Sequence, residues 1–406
     1  MEEISAVPSE DSAQGREQKG VIPTYAKNGP GVTHRKSKIY KIPVLILAAA
    51  TASCAAGPAL MLTSPTEYQV FQRHTKNSGK VVISGRAGPQ CDRVAARLSG
   101  DWTAVPLDRS SHTFRAELAA PAGGFYALSV RAYRGKTLLQ ETAVAHVGIG
   151  EVFVISGQSN STNYGEERQQ TRTRMVTTFS GEEWRLANDP QPGVQDSSNN
   201  GSFIPPFGDA LYERLHVPIG VACVGHGATS VRQWLTKGER MRVEPSMVRF
   251  VIPAGPGEWA STGQLFDVMM QRIRQLGPQG FRALLWHQGE SDSNQKPGHD
   301  IPGEEYGRML REVIAASRRE AGWNFPWFVA QVSYNRPDQP TCVPVREAQS
   351  RLWREGIALE GPDTDQLTGD NRQNQGKGVH FSDKGLKAHG KLWVDKVGAW
   401  LDGVVK

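Results

Sequence analysis

Three short segments, far apart in the chain, combine the residue types that ester hydrolysis requires. They are Gly157-Gln158-Ser159-Asn160, His287-Gln288-Gly289-Glu290-Ser291-Asp292 and Gly378-Val379-His380-Phe381-Ser382. Hydrolysis through an acyl-enzyme needs a hydroxyl nucleophile, a base with a pKa near neutrality and donors aimed at the oxyanion. Together the three segments predict a serine esterase.

Ser159 is the predicted nucleophile because it follows 151–156, an apolar run with the length of a buried strand. A hydroxyl at a strand end is exposed on a rigid edge, and a helix N-terminus beside it favours negative charge on the reacting carbonyl. His380 is the predicted base, since it lies in a glycine-rich loop before a C-terminal helix. His287, which directly follows a strand, and His226, which lies between two glycines, are the alternatives.

The elements that position these residues change character along the chain. Residues 66–147 alternate apolar and polar side chains between turn residues, which predicts a small antiparallel β-sandwich. In 148–403, short apolar strands alternate with helical patterns, which predicts an α/β domain whose parallel sheet is covered on both sides. In such sheets chemistry gathers beyond the carboxyl ends of the strands. Ser159 follows the first predicted strand, the turn 225–230 follows the second and Gln288 follows the third, while His380 comes just before a closing helix.

Strands are predicted at 152–156, 219–224, 283–286 and 327–332. Helical periodicity places Leu265, Val268, Met269, Ile273 and Leu276 on one face, and Tyr306, Met309, Leu310, Val313 and Ile314 on another. A closing helix contains Leu386, His389, Trp393, Val397 and Leu401.

The N-terminal region has a different composition. Residues 1–41 are polar and lack hydrophobic periodicity, which predicts a disordered tail. Residues 42–62 carry no charge and follow several basic residues, so as a helix they could just cross a hydrocarbon core of roughly 30 Å. A signal peptide and a membrane anchor are both consistent with this pattern, and a buried globular helix is the alternative. The first two place the remainder outside the cytoplasm, in the periplasm, outside the cell or attached to the membrane.

Composition excludes several classes of protein. With 406 residues and 38% hydrophobic residues, the chain is long enough for two folded units and a tail. The net charge of +6 is scattered, which argues against a nucleic-acid partner, and no P-loop or zinc spacing occurs, so neither cofactor nor metal is expected. Apart from Cys54, the chain has Cys91, Cys223 and Cys342, an odd number that allows one disulfide at most.

The ordered motifs GQSN, the glycine-bearing turn 227–231, WHQGESD and GVHFS resemble the SGNH hydrolase superfamily. More narrowly, they are similar to the sialate O-acetylesterase and carbohydrate acetylesterase group, over roughly residues 148–403. The resemblance implies a flavodoxin-like three-layer α/β/α domain, commonly preceded by a β-sandwich. It also implies metal-free removal of O-acetyl groups from a carbohydrate such as sialic acid or xylan, through an acyl-enzyme on Ser159.

Oxyanion donors are predicted at the backbone N–H groups of Ser159 and Gly227 and at the side-chain amide of Gln288. Glycine at 227 lets the main chain approach the substrate closely. Gln288 is assigned only because it matches the position of the superfamily's usual asparagine.

One position departs from the family pattern. Many members carry an aspartate three residues before the histidine, where this chain has Lys377, which cannot accept the imidazole proton. Either another carboxylate orients His380, or the site operates as a Ser-His pair helped by a backbone carbonyl. Glu290 is the first candidate for the orienting acid, followed by Asp365 and then Asp370.

Substrate contacts are predicted at Asn160, Tyr164, Arg232 and Trp234. Aromatic rings in loops suit the apolar faces of sugars, and Trp184 and Trp259 also fall in predicted loops. Arg232 and Arg346 could bind a substrate carboxylate, or could instead pair with acids of the protein. Two other functions remain open, a lipase or thioesterase and a non-catalytic glycan-binding protein, the latter because of Lys377.

Overall fold

The computed structural model describes residues 59–242, 249–293 and 301–406. The predicted tail lies outside these residues, and so does the predicted export segment except for its last four positions, of which Leu60, Met61 and Leu62 belong to a β-strand. Within the described residues no helix is long and apolar enough to cross a membrane. Export therefore stays a prediction.

The N-terminal part of the described chain, up to Gly157, is built from strands. They are β1 (Leu60–Ser64), β2 (Val70–Gln72), β3 (Ser78–Ala87), β4 (Arg93–Arg97), β5 (Thr103–Val105), β6 (Leu107–Asp108), β7 (Thr113–Pro121), β8 (Gly123–Arg134) and β9 (Thr137–Gly157). The order β1-β3-β7-β6 forms an antiparallel sheet, while β4, β5, β8 and the first half of β9 pair antiparallel in a second one. Side chains from both sheets share one hydrophobic core that includes Val81, Phe114, Val94 and Val130.

Strand β9 joins this region to the rest of the molecule. Its first half is partly exposed, whereas every residue from Val147 to Gly157 is buried, because this half is covered on both faces. The strand passes without interruption through the predicted domain boundary between residues 147 and 148. The boundary itself stays a prediction.

The remaining strands are β10 (Val176–Phe179), β11 (Trp184–Leu186), β12 (Ile219–Cys223), β13 (Arg240–Met241), β14 (Val251–Gly255), β15 (Glu258–Ser261), β16 (Ala283–His287), β17 (Trp327–Gln331) and β18 (Leu359–Asp363). The sheet order is β11-β10-β12-β9-β16-β17-β18, and all neighbours from β10 to β18 are parallel. The chain leaves β9 toward β10 on one side of the sheet and leaves β16 toward β17 on the other side. The topological switch point, where ligands bind in open α/β sheets, therefore lies between the neighbours β9 and β16. Strands β13, β15 and β14 form a separate small antiparallel sheet.

The helices are α1 (Ile204–Leu215), α2 (Gln264–Leu276), α3 (Gly303–Ala321), α4 (Val343–Arg354), the single turn α5 (Gln373–Gly376) and α6 (Asp383–Val404). Buried side chains of α2, α3 and α4 pack with Val152 and Val154 of β9. Those of α1 and α6 pack with Phe153 and Ile155, which point to the opposite face. The class of fold, mixed α/β with large sheets, is confirmed.

The sequence patterns located these elements well. The four predicted strands coincide with β12, β16, β17 and the end of β9 to within one residue, and the two predicted helical faces belong to α2 and α3. Ser382 caps α6 by accepting a hydrogen bond from the N–H of Gly385 at 3.2 Å. The cysteines of the described residues, Cys91, Cys223 and Cys342, are free thiols.

Candidate active site

The turn that carries Ser159 is fixed by a close approach of two strand ends. Gly157 ends β9 with φ at +130°, and a Cβ atom there would lie 2.0 Å from the carbonyl oxygen of His287, so only glycine fits. The N–H of Gln158 donates to the same carbonyl at 2.9 Å. A 3₁₀ turn, Ser159–Ser161, follows immediately. The predicted nucleophile therefore lies at the carboxyl edge of the sheet, beside the switch point.

The glycine-bearing turn after β12 packs against the Ser159 turn. The N–H of His226 donates to the carbonyl of Gly157 at 2.9 Å. At Gly225, a Cβ atom would come within 2.4 Å of Ser161 Oγ, so this approach also depends on glycine. The turn after β12 and the Ser159 turn thus meet, as the adjacent positions of β12 and β9 in the sheet require.

The HQGES segment is joined to the first segment through Gln158. Its side-chain oxygen accepts hydrogen bonds from the N–H groups of Gly289 and Ser291, at 3.4 and 3.0 Å. Gln158 is thus a structural residue of the site, a role that the sequence analysis did not assign to it. The GQ pair therefore holds the two loops together and leaves the next residue, Ser159, at the edge.

The third segment is brought to the same place by Asn160. Its side-chain amide donates to Glu290 Oε1 at 2.9 Å and to the carbonyl oxygen of Val379 at 3.3 Å. Since Asn160 follows Ser159 and Val379 precedes His380, the turn of the predicted nucleophile and the loop of the predicted base are hydrogen-bonded neighbours. Asn160 was predicted to contact substrate, but the structure places its amide in this clamp.

His380 is half-buried and borders the ring of Tyr164, with 5.0 Å between the ring centroids. Its Nδ1 lies 3.2 Å from the side-chain amide of Gln373. Burial, reinforced by the nearby Arg372 guanidinium, lowers the pKa of the imidazole to about 4. The ring is thus held neutral, as a general base must be, and Nε2 is the nitrogen left for the substrate side.

Glu290 is not the partner of His380 in this structure. It accepts from Asn160, and its Oε1 lies 3.7 Å from Nδ1 of the buried His287. Burial raises the pKa of the Glu290 carboxyl to about 7. The prediction that Glu290 orients His380 is therefore corrected. Its segment does lie at the carboxyl edge of the sheet, but its carboxylate points toward the buried residues Asn160 and His287.

The other acids proposed for that role are occupied elsewhere. Asp365 accepts from the N–H groups of Ser333 and Tyr334, each at 2.8 Å, and pairs with Arg346 at 2.7 Å. Asp370 is exposed and pairs with Lys384. Within the described residues no carboxylate lies within 4.0 Å of a ring nitrogen of His380.

Two of the three predicted oxyanion donors are engaged by the protein. The side-chain nitrogen of Gln288 donates to the carbonyl of Thr229 at 3.0 Å and to Asp292 at 2.7 Å, and the residue is fully buried. The N–H of Gly227 donates to the carboxylate of Asp196. Both assignments are corrected, because each donor is already hydrogen-bonded to a group of the protein.

Ser159 retains its own donor. Its backbone N–H makes no hydrogen bond to another described residue, as expected for the first residue of a helical turn. The predicted Ser159 N–H is therefore the donor that is free to meet an oxyanion. Asp196 could not be identified from the sequence, because no local pattern shows which loop residue reaches Gly227.

The predicted substrate contacts divide into two groups. Tyr164 lies at the site, partly exposed between His380 and Gly227. Arg232 and Trp234, by contrast, are buried: the Arg232 guanidinium reaches Ser230 Oγ at 2.8 Å, and the Trp234 indole donates to Thr229 Oγ1 at 3.0 Å. Both predictions are corrected, because these side chains are buried in the 3₁₀ turn Val231–Trp234, which follows the glycine-bearing turn after β12.

For the remaining candidates, the sequence did not decide whether the side chain contacts the substrate or another part of the protein. Arg346 of α4 pairs with Asp363 at the end of β18 and with Asp365 just beyond it, so its guanidinium ties the helix to this strand end. Trp184 is buried in β11, and Trp259 is part of β15. In the described residues no group of three or more His, Cys, Asp and Glu side chains could hold a metal ion.

The chain resembles known proteins in sequence and in fold. A family model described as carbohydrate esterase, sialic acid-specific acetylesterase, matches residues 149–398, which is more than half of the chain. The chain is similar to the structure of a novel carbohydrate acetylesterase from Xanthomonas citri, with 18% identity, a TM-score of 0.51 and coverage of 82% of this chain and 73% of that one. At this identity the likeness shows the fold.

Two further structures are more distant. A protein from Arabidopsis thaliana is 17% identical with a TM-score of 0.44, and NanS is 16% identical with a TM-score of 0.41. Each alignment covers 62% of this chain and 98% of the other. A search of curated protein sequences gives no significant match.

Proposed function

The chain belongs to the carbohydrate esterase family of sialic acid-specific acetylesterases, so it is a carboxylic ester hydrolase. We propose that it removes O-acetyl groups from carbohydrates through an acetyl-enzyme on Ser159. The observation that carries the proposal is the pair of hydrogen bonds from Asn160. They tie the Ser159 turn to the residue before His380, although more than two hundred positions separate the two in sequence.

The proposed reaction proceeds in two steps. Ser159 Oγ attacks the acetyl carbonyl carbon and its proton passes to Nε2 of His380; the bond to the sugar oxygen then breaks, and the same proton passes to that oxygen. Water next attacks the acetylated serine and gives a proton to His380. Acetate leaves as this proton returns to Ser159 Oγ. The Ser159 N–H, at the start of its turn, stabilises the oxyanion in both steps.

The substrate is proposed to be an acetylated sialic acid or a polysaccharide such as xylan. Support comes from the family match and from Tyr164, a partly exposed ring at the mouth of the site that suits the apolar face of a sugar. The two arginines considered for a substrate carboxylate are not free to serve, since Arg346 is paired and Arg232 is buried. Neither supports an acidic sugar over a neutral one.

One assay tests the proposal against its two alternatives. Acetate release is compared for acetylated sialic acid, acetylated xylan and longer-chain esters, with the full chain and with Ser159→Ala. We expect acetate from a sugar ester and little from the variant. Faster cleavage of long-acyl esters would favour a lipase or thioesterase, and sugar binding without turnover would favour a glycan-binding protein. No acetate from any sugar ester would sink the proposed function.

We also propose that the enzyme acts outside the cytoplasm. Residues 42–62 would either anchor it in the membrane or be removed as a signal peptide. The support is the uncharged stretch behind a basic flank. Fractionation of cells that express the full chain tests this, and recovery of all the protein from the cytoplasm would contradict it.

We further propose that the chain folds as a three-layer hydrolase domain preceded by a β-sandwich. The order of strands around β9 and the helices on both faces support a flavodoxin-like three-layer SGNH hydrolase domain. The core shared by the two N-terminal sheets supports a β-sandwich. A crystal structure with helices on only one face of the parallel sheet would contradict the first of these.

A further inference from the structure

We propose that Gln373 is the positioning residue for His380 and takes the place that a carboxylate holds in a Ser-His-acid triad. Its side-chain amide is the group that faces Nδ1, at 3.2 Å. The inference rests on the proposed function, since it concerns the base of that reaction. It also explains how a chain with Lys377 at the usual acidic position can keep an oriented imidazole.

The side chain of Gln373 reaches the ring because the chain leaves room for it. A Cβ atom at Gly378 would lie 2.2 Å from Gln373 Cγ and 2.9 Å from its amide nitrogen, so the stem of the glutamine crosses directly over this glycine. The backbone closes the same contact: the N–H of Gln373 donates to the carbonyl of His380 at 2.9 Å, and the N–H of Gly378 donates to that of Gln373 at 3.0 Å.

The neighbouring Arg372 makes this loop rigid. Its guanidinium donates to the carbonyls of Leu367, Val379 and Thr364 at 2.6, 2.7 and 3.0 Å. It stacks over the rings of Tyr334 and Phe381, at 3.8 and 4.3 Å from their centroids.

The partner of Arg372 in an isolated β-bridge is Phe381, the residue after the histidine. The residues next to Gln373 and His380 are therefore also paired with each other, which holds the two side chains close together.

An amide differs from a carboxylate in a way that matters for the base. It has a donor end and an acceptor end, which exchange places when the group makes a half-turn. In the structure the nitrogen faces Nδ1, which assigns the imidazole proton to Nε2. To accept the proton of Ser159, Nε2 must be free, so catalysis requires the other orientation, in which Nδ1–H donates to Gln373 Oε1.

The neutral partner places no charge beside Nδ1 of the base. A carboxylate beside Nδ1 would stabilise the imidazolium, whereas an amide does not. The low pKa of His380, about 4, is consistent with an oriented imidazole that has no charged partner.

The test replaces the amide by the missing acid. Gln373→Glu should raise the pKa of His380 by at least about one unit, because a carboxylate within ~4–6 Å favours the charged imidazole. Gln375→Glu is the matched control: it makes the same substitution two residues along in the same loop, where the side chain is exposed. The pKa is read by NMR titration of histidine-labelled full chain, and by the acid limb of kcat/KM.

A rise in Gln373→Glu that Gln375→Glu does not share supports the proposal, and equal behaviour of the two variants overturns it. Because the NMR titration needs no turnover, it decides the contact even if the wild type releases no acetate, a result that would refute the proposed function instead.

If Gln373→Glu fails to fold, Gln373→Leu serves. It should lower kcat by about tenfold with KM unchanged, and should shift the tautomer populations of His380 in ¹⁵N spectra. Unchanged kcat and tautomers would overturn the proposal.

Discussion

The side-chain amide of Asn160 donates a hydrogen bond to Glu290 at 2.9 Å, although the two residues lie 130 positions apart. This contact joins the loop that follows β9 to the loop that follows β16. The same amide reaches the carbonyl of Val379, so one side chain unites all three motifs. Asn160 thus holds the site together with Gln158, which joins the first two motifs.

Replacing Asn160 should therefore cost both stability and turnover. In Asn160→Ala a buried carboxylate and a backbone carbonyl lose their donor, so we expect the free energy of unfolding to fall by about 1–3 kcal/mol. We expect kcat for acetate release to fall as well, because the His380 loop is no longer tied to the Ser159 turn. Urea unfolding and the acetate assay measure these effects. Asn199→Ala, at an exposed position, is the control, and an Asn160→Ala protein indistinguishable from it would refute the clamp.

Glu290 should make stability depend on pH in the direction opposite to that of most acids. Its folded pKa of about 7 is above the ordinary value of 4.5, so the folded state holds the proton more tightly than the unfolded state. The contribution is fully present below pH 4.5 and is lost as pH rises through about 7.

Relative to Glu290→Gln, the wild type should therefore gain stability as pH falls from 8 to 4.5 in denaturant titrations. Glu182→Gln, an exposed substitution of the same kind, should show no such trend. A wild type that instead loses stability relative to Glu290→Gln over this range would show that Glu290 is charged and paired.

The acid limb of the wild-type reaction should lie unusually low. Since His380 must be neutral to accept the serine proton and its pKa is about 4, kcat/KM should stay level down to about pH 5 and fall about tenfold per unit below pH 4. The assay is kcat/KM on an acetylated sugar between pH 3.5 and 8. Enzyme held at each pH and returned to pH 7 controls for unfolding, and a midpoint near 6.5 would contradict the buried environment.

We expect glycine to be needed at position 227 mainly because a side chain there would collide with the ring of Tyr164, and less because of the backbone conformation. A Cβ atom at this position would come within 2.7 Å of the tyrosine ring, which in turn borders His380. Gly227→Ala should therefore displace the ring and raise KM, with a smaller effect on unfolding. In the Tyr164→Ala background the same change should have little further effect on KM. Additive effects in this double-mutant cycle would argue against the contact.

Sequence patterns located the elements and the edge of the sheet, because both depend on local periodicity. The apolar run before Ser159 and the amphipathic faces of α2 and α3 are properties of short windows. They suffice to place Ser159 and the HQGES segment at strand ends, and the His380 loop just before the closing helix.

The partners of individual side chains depend on long-range packing and could not be derived in this way. Trp234 and Arg232 fall in a turn that is usually exposed, yet here the turn folds under the second segment and buries them. Gln373 reaches His380 only because the loop from Arg372 to Phe381 closes over Gly378. A matched position suggested Gln288 for the oxyanion, but its amide satisfies Thr229 and Asp292.

The most direct test of the central claim is to catch the intermediate. Full-length enzyme is mixed with an acetylated sugar, quenched in acid within the first turnovers, digested and examined by mass spectrometry. The account predicts an acetyl group on the peptide that contains Ser159, appearing before steady-state acetate release and absent in Ser159→Ala, whose folding is checked by circular dichroism. Steady acetate release by Ser159→Ala at the wild-type rate, with no acetylated peptide in either protein, would contradict it.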